Sequence, residues 1–275
     1  MLSLCLALNI YKMKTKKPMY STPIAFFWAC IFLFTLNLQA QDKSITVYQY
    51  RHVPDDKIAE FLNRETTYWS KVAQKAIDNK KMSFWGIFEK VGGTDLPNKS
   101  NYLFINTFPN IDASNEIWST AESVAGVSID KMETNSMSTT TSAIFLHDED
   151  WAQAKDANPA NDFNYVVVNY HNSAAQDSFI KLEKKYWKPF IQSAMDKKQT
   201  SQRGWGNATV LSPLGGDMKF NCLSYDLFPT LQEALMTTWD PKVIIPTKGL
   251  GMLQKISQAP PATIIYRAVK VINAN

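Results

Sequence analysis

Cysteine is nearly absent from this 275-residue chain: Cys5 and Cys30 lie in the N-terminal segment, and Cys222 stands alone beyond residue 40. No disulfide can therefore close within residues 41–275, and a lone cysteine in a predicted strand reads as a small buried apolar residue. Histidine is almost as scarce, with three copies and no Asp/His grouping at ligand spacing, which argues against a metal centre. Also missing are a Gly-rich phosphate loop, Cys-x-x-Cys, His-Glu-x-x-His and a Gly-x-Ser-x-Gly elbow, so the motif-borne chemistries attached to them are excluded. Charge of one sign is lacking once residues 1–40 are set aside. That segment holds Lys12, Lys14, Lys16 and Lys17 and no acid, so the 29 Lys+Arg of the chain fall to 25 against 25 Asp+Glu. A formally neutral chain gives no electrostatic reason to expect nucleic acid or anionic lipid as a partner.

What is present begins with an export signal over residues 1–40. Lys14, Lys16 and Lys17 precede the apolar stretch Ile24–Leu36, and Leu38-Gln39-Ala40 supplies a cleavage site before Gln41, with Met13 an alternative initiator. The stretch is short for a bilayer span. A periplasmic or secreted mature protein without a stable membrane anchor is expected. Cys30 lacks a lipobox.

Beyond the signal the chain repeats itself. Glu65, Tyr68 and Trp69 return as Glu183, Tyr186 and Trp187, an offset of 118, while Trp85-Gly86, Asn101 and Phe108-Pro109 return as Trp205-Gly206, Asn221 and Phe228-Pro229 at 120. A two-residue insertion accounts for the change, and an internal repeat of this length predicts two copies of one folding unit. First strands are expected at Ile45–Arg51 and Tyr165–Tyr170. Helices follow from Pro54-Asp55-Asp56 and over Ala174–Lys197. Second strands fall at Ser83–Lys90 and Gly204–Leu211, and third strands at Tyr102–Phe108 and Phe220–Leu227, with turns at Gly92-Gly93 and Pro213–Gly216. Second helices begin near Asp112 and at the Thr230/Glu233 capping box. Last strands cover Ala143–His147 and Thr263–Val271. The threonine-rich stretch 128–142 reads as an irregular surface loop. Residues 41–148 and 163–275 are thus two β-α-β-β-α-β, ferredoxin-like units joined by a connector at 149–162.

Two such units in one chain resemble the tandem form of the dimeric α+β barrel superfamily, in which two ferredoxin-like sheets pack face to face. The resemblance rests on the duplication and the order of elements. It implies an α+β fold and a single-chain pseudo-dimer. Known members include cofactor-independent monooxygenases, haem-degrading enzymes, lactone isomerases and stress-induced proteins, with a ligand pocket between sheet and helices in several. In haem-degrading members an Asn, a Trp and a helix-borne His serve one pocket. Here the helix carries Glu where that His would stand, so no cofactor is expected.

The first helix of each half is therefore the place to look. At 100° per residue, Glu65 falls within about 60° of Ile58, Phe61, Leu62, Trp69, Val72 and Ala76, and Glu183 lies among Phe179, Tyr186, Trp187, Phe190 and Ala194. An unpaired buried charge costs several kcal/mol, so each glutamate must be protonated, matched by a donor or open to a wet cavity. Two readings stand open: a structural hydrogen bond, or a pocket carboxylate with a raised pKa. Trp85 and Trp205 on the second strands, with Trp69 and Trp187, are either core packing or the walls of two pockets. His52 and His171, each after a first strand, are either solvated turn residues or carry a proton-shuttle or metal role, for which their spacing is a weak signal. Three functions follow. One is binding of a small apolar or aromatic molecule, with one pocket per half. Another is a cofactor-independent oxygenase or isomerase-like enzyme with one glutamate as base. The last is an envelope scaffold in which both glutamates are structural.

Overall fold

Alternation along the first strand sets the architecture. In β1 (Ile45–His52), Tyr48 and Tyr50 turn to one face and Val47, Gln49 and Arg51 to the other. The computed structural model describes residues 43–95, 99–216 and 218–274, and the proposed export signal lies outside the described residues. The other strands are β2 (Phe84–Gly93), β3 (Tyr102–Phe108), β4 (Thr139–Gln153), β5 (Tyr165–His171), β6 (Gly204–Ser212), β7 (Cys222–Phe228) and β8 (Ala262–Asn273). They close into one antiparallel barrel in the order β1-β3-β2-β8-β5-β7-β6-β4. Helix α1 runs through three consecutive segments, Ile58–Arg64, Glu65–Trp69 and Ser70–Asp78. After it come α2 (Ser114–Ser119), α3 (Ala121–Ala125), α4 (Ile129–Met132) and α5 (Pro159–Asp162). Helix α6 again has three segments, Gln176–Leu182, Glu183–Trp187 and Lys188–Asp196, and is followed by α7 (Leu231–Leu235) and α8 (Thr247–Ile256). Among the described residues no helix is long and apolar enough to cross a membrane.

β4 and β8 hold the barrel closed, because each pairs with two strands in succession. β4 meets β1 through Thr139–Leu146 and β6 through Phe145–Gln153. β8 meets β5 through Ala262–Arg267 and β2 through Ile264–Asn273. The expected strand Ala143–His147 is therefore too short. Thr139–Ser142, read as part of a loop, and Glu149–Gln153, read as the start of the connector, extend it at both ends. Backbone pairing with distant strands decides those residues, and their polar sequence carries little local signal for it. Gly92-Gly93 is likewise not a turn. Both glycines pair within β2 to Ile265 and Ile264, and at Gly93, with φ +114°, a Cβ would fall 2.4 Å from the Thr263 carbonyl oxygen. Glycine there permits close backbone approach.

The barrel interior is filled by inward side chains, with the Tyr50 and Tyr170 hydroxyls 2.9 Å apart. The Trp-Gly pairs divide between the two faces. Trp85 packs on the helix side, while a Cβ on Gly86 would meet the Phe88 ring at 2.6 Å and one on Gly206 the Tyr225 ring at 2.4 Å. Asn101 clamps the loop after β1, accepting from the Val53 N–H and donating to its carbonyl, both at 2.8 Å. Asn221 holds Ser173 in the same way at 3.0 and 2.8 Å. Each clamp satisfies a backbone donor and acceptor where the chain leaves a strand. Asn101→Ala and Asn221→Ala are each expected to cost about 2–3 kcal/mol by urea denaturation. A loss under about 0.5 kcal/mol would show that water replaces the amide.

Candidate functional site

Helix α1 lies over the outward face of β1, β2 and β3, burying Phe61, Val72, Ala73, Ala76 and Ile77 against Ile87, Tyr102 and Phe104. At its middle the helix widens into a π turn, Glu65–Trp69, and α6 does the same at Glu183–Trp187. The repeated Glu-x-x-Tyr-Trp is thus the sequence of a π turn. Single π turns inside α-helices are frequently found at functional sites.

Under the first π turn lies a cavity of about 420 Å³, within the usual range for small-ligand pockets. Its walls include Trp69, Trp85, Phe104, Phe108 and Trp118, and its polar groups are Gln49, Arg51, Glu65, Asn106, Ser114, Thr134 and Asn135. Glu65 is 4% exposed, and its Oε1 accepts from the Thr134 hydroxyl at 2.7 Å and lies 3.5 Å from Arg51 Nη1. Burial raises its pKa to about 7, against the opposing effects of the Arg51 charge and the Thr134 hydrogen bond. Arg51 donates through Nε to Gln49 Oε1 at 2.8 Å and sits 4.6 Å over the Phe104 ring. Asn106 Oδ1 is buried in the wall without a partner among the described residues. The Trp69 indole N–H is already committed to the Met132 carbonyl at 2.7 Å, and its ring meets Trp118 edge-on, so Trp69 offers a ligand its surface and no donor.

The repeat-related residues of the second half stand in a different setting. Glu183, 5% exposed, accepts from Asn207 Nδ2 at 2.8 Å. Burial raises it to about 8, the Asn207 bond opposes this, and the charges of Asp226 and Asp150 add to it. Asp226 is held by Asn169 Nδ2 at 3.0 Å and Gln202 Nε2 at 2.6 Å, and burial raises it to about 6 against those two bonds. Asp150 takes Lys188 at 2.5 Å. Trp205, 1% exposed, packs with Ala152, Ala154, Ile191 and Met195, while Trp187 lies on Phe190, which stacks on Trp239. Glu65, Trp69 and Trp85 therefore meet around one cavity, whereas Trp187 and Trp205 belong to a packed cluster and Glu183 to a hydrogen-bonded acidic group.

The strand registers align Arg51, and not His52, with His171: Arg51 pairs with Tyr102, and His171 with Cys222. Neither histidine lines the cavity. His171 Nε2 is 3.0 Å from Ser224 Oγ, the ring lies against Phe179, and burial lowers its pKa to about 4, which makes it a neutral packed histidine. His52 is half-buried at the end of β1, opposite Thr139. Among the described residues no group of His, Cys, Asp and Glu could hold a metal ion. Sequence reasoning missed Arg51, Asn106 and Thr134. For Arg51 a signal existed, since alternation along β1 puts it on the face of Val47 and Gln49.

The chain has an α+β fold, a closed eight-stranded antiparallel barrel with helices on its outer face, and its structural neighbours are of the dimeric α+β barrel type. No family model and no curated relative matches the chain. Among solved structures, a monooxygenase-like protein of Lactobacillus acidophilus is 14% identical, with a TM-score of 0.54 over 84% of this chain and 97% of that one. An anthrone oxidase-like protein is also 14% identical, with a TM-score of 0.50 over 86% of this chain and 95% of its own. A monooxygenase-like protein of Fusobacterium nucleatum is 12% identical, with a TM-score of 0.50 over 84% of this chain and 94% of its own. At these identities the likeness extends to the fold alone.

Proposed function

We propose that the first-half cavity binds a small, flat, largely apolar molecule with its polar group turned to Glu65. The reading is carried by one observation: a buried carboxyl, anchored by Thr134, opens on an aromatic-walled space of about 420 Å³. The chain works as a single-chain pseudo-dimer of two ferredoxin-like units, exported after loss of residues 1–40, with the second half as a packed partner. A second reading is favoured by the ionisation of Glu65. A carboxyl with a pKa of about 7 is poised as a general base at neutral pH. With monooxygenase-like and anthrone oxidase-like proteins sharing the fold, that base serves a cofactor-independent oxygenase or isomerase by taking a proton from an activated O–H or C–H of the bound molecule.

Native mass spectrometry of the mature protein, purified from its own extract, tests the binding reading. The wild type and Glu183→Gln should carry the same extra mass, and Trp85→Ala, which removes part of the aromatic wall, should lose most of it. A clean apo mass in all three would remove the support for a ligand and favour the scaffold. If oxygen is consumed on adding the captured molecule to the wild type but not to Glu65→Gln, the catalytic reading holds. No turnover by either leaves binding alone.

A further inference from the structure

Arg51 has one counterion, and it is loosely held. Its nearest carboxylate oxygen, on Glu65, is 3.5 Å away, beyond the roughly 2.7–2.9 Å of a charge-assisted bond. Thr134, at 2.7 Å, anchors that same oxygen. The Arg51 side chain is 14% exposed, is fixed by Gln49 and Phe104, and has no other partner among the described residues for its remaining N–H groups. The surrounding elements do not supply one. β2 and β3 bring Trp85, Phe104, Asn106 and Phe108 to the cavity, and α2 brings Ser114 and Trp118. On α1, Arg64 is committed to Glu60 and to the Asp130 and Glu133 carbonyls. Before β4, the Glu133 carboxylate is taken by Ser136. Among the described residues, Arg51 is the charged group that acts on Glu65.

We infer that the molecule bound in this cavity is a flat organic anion, an aromatic carboxylate or an aromatic enolate, whose charge pairs with Arg51 while its ring lies among Trp85, Phe104 and Trp118. The inference rests on the binding reading above and names the class of ligand. A planar guanidinium fork suits a two-oxygen anion, and the low-dielectric wall strengthens the pairing. The unpartnered Asn106 Oδ1 then gives the ligand one acceptor for a hydroxyl or amine substituent. A regulatory consequence follows from the same geometry. Glu65 and the ligand compete for one cation, so the anion binds to the form in which Glu65 carries a proton. Below pH 7 Glu65 is already neutral and binding takes up little. Above pH 7 each binding event takes up about one proton, and affinity falls toward tenfold per pH unit.

Titration calorimetry on the mature chain with 1-naphthoate and its neutral isostere 1-naphthamide tests this, in two buffers of different ionisation enthalpy at pH 6 and pH 8.5. Naphthoate should bind roughly tenfold or more tightly than the amide at pH 6. Its affinity should drop at pH 8.5, with proton uptake near one. Glu65→Gln should keep the preference and lose the pH dependence, and Arg51→Gln should lose the preference. If the amide binds as well as naphthoate, or naphthoate binds at pH 8.5 with no proton uptake, the anion assignment is overturned while the cavity stands as a binding site. If neither probe binds, both are overturned. The proton count comes from the wild type alone, so a poorly folded Arg51 variant does not shelter the proposal.

Discussion

Stability should fall as the pH is raised from 5 to 9, the reverse of ordinary acid denaturation. Glu65 and Glu183 ionise near their usual values in the unfolded chain, but burial raises them to about 7 and about 8 in the fold. Between those limits the native state holds protons that the unfolded state has released, so unfolding is favoured as the pH rises. The contribution of each group is fully present below its unfolded pKa, is lost on the way to its folded pKa, and is constant above it. At about 1.4 kcal/mol per pH unit, the displacement of Glu183 from 4.5 to about 8 corresponds to roughly 4–5 kcal/mol, and that of Glu65 to roughly 3 kcal/mol. Asp226, raised by the same burial, acts in the same direction. Urea midpoints at pH 5 and pH 9 read the effect. Glu183→Gln, which stays neutral, should be near wild type at pH 5 and several kcal/mol more stable than it at pH 9. A wild type that gains stability between those pH values, or a variant with an unchanged slope, would contradict buried neutral carboxyls.

The two halves spend the same positions on different ends. At positions 120 residues apart in the sequence, Arg51 corresponds to His171, Asn106 to Asp226, Gln49 to Asn169 and Ile87 to Asn207. The first set leaves a cation and an unpartnered acceptor around open space. The second closes on itself, with Asn207 donating to Glu183, and Asn169 and Gln202 donating to Asp226. The π turn therefore stands in two different settings. In α1 it brings Glu65 to a cavity, and in α6 it lets Tyr186 seat against Gly249 of α8, where a Cβ would come within 2.5 Å of Tyr186 Cβ.

Much of this was legible because apolar periodicity is a local signal. The helix stripe and the offsets of 118 and 120 placed Glu65 and Glu183 inward, and both are 4–5% exposed. The length of β4 was not legible, because Glu149–Gln153 is a strand only through its pairing with β6. The π turns were not legible either. A uniform 100° projection cannot register the extra residue, which leaves Trp69 half-buried with its N–H on Met132. Thr134 was hidden for a third reason: it lies 69 residues from Glu65 in a stretch with no periodicity, and only the folded chain brings them together.

Trp205→Ala and Trp85→Ala should separate packing from binding, although the two tryptophans are almost equally buried. Trp205 is enclosed by Ile191, Met195, Ala152 and Ala154, so its removal loses the transfer free energy of the ring and leaves a void that close-packed neighbours cannot collapse. About 3–5 kcal/mol should be lost. Trp85 is walled by packing on one side and by the existing cavity on the other, so part of the void already exists and the loss should be nearer 2–3 kcal/mol. Affinity should order the variants in the opposite way. For 1-naphthoate, Trp85→Ala removes a ring face and should weaken binding by about tenfold or more, while folded Trp205→Ala should bind as the wild type does. Urea denaturation supplies the first comparison and a fluorescence titration the second. Equal stability losses with unaltered affinity in Trp85→Ala would make Trp85 a packing residue, and the aromatic wall would then begin at Phe104 and Trp118.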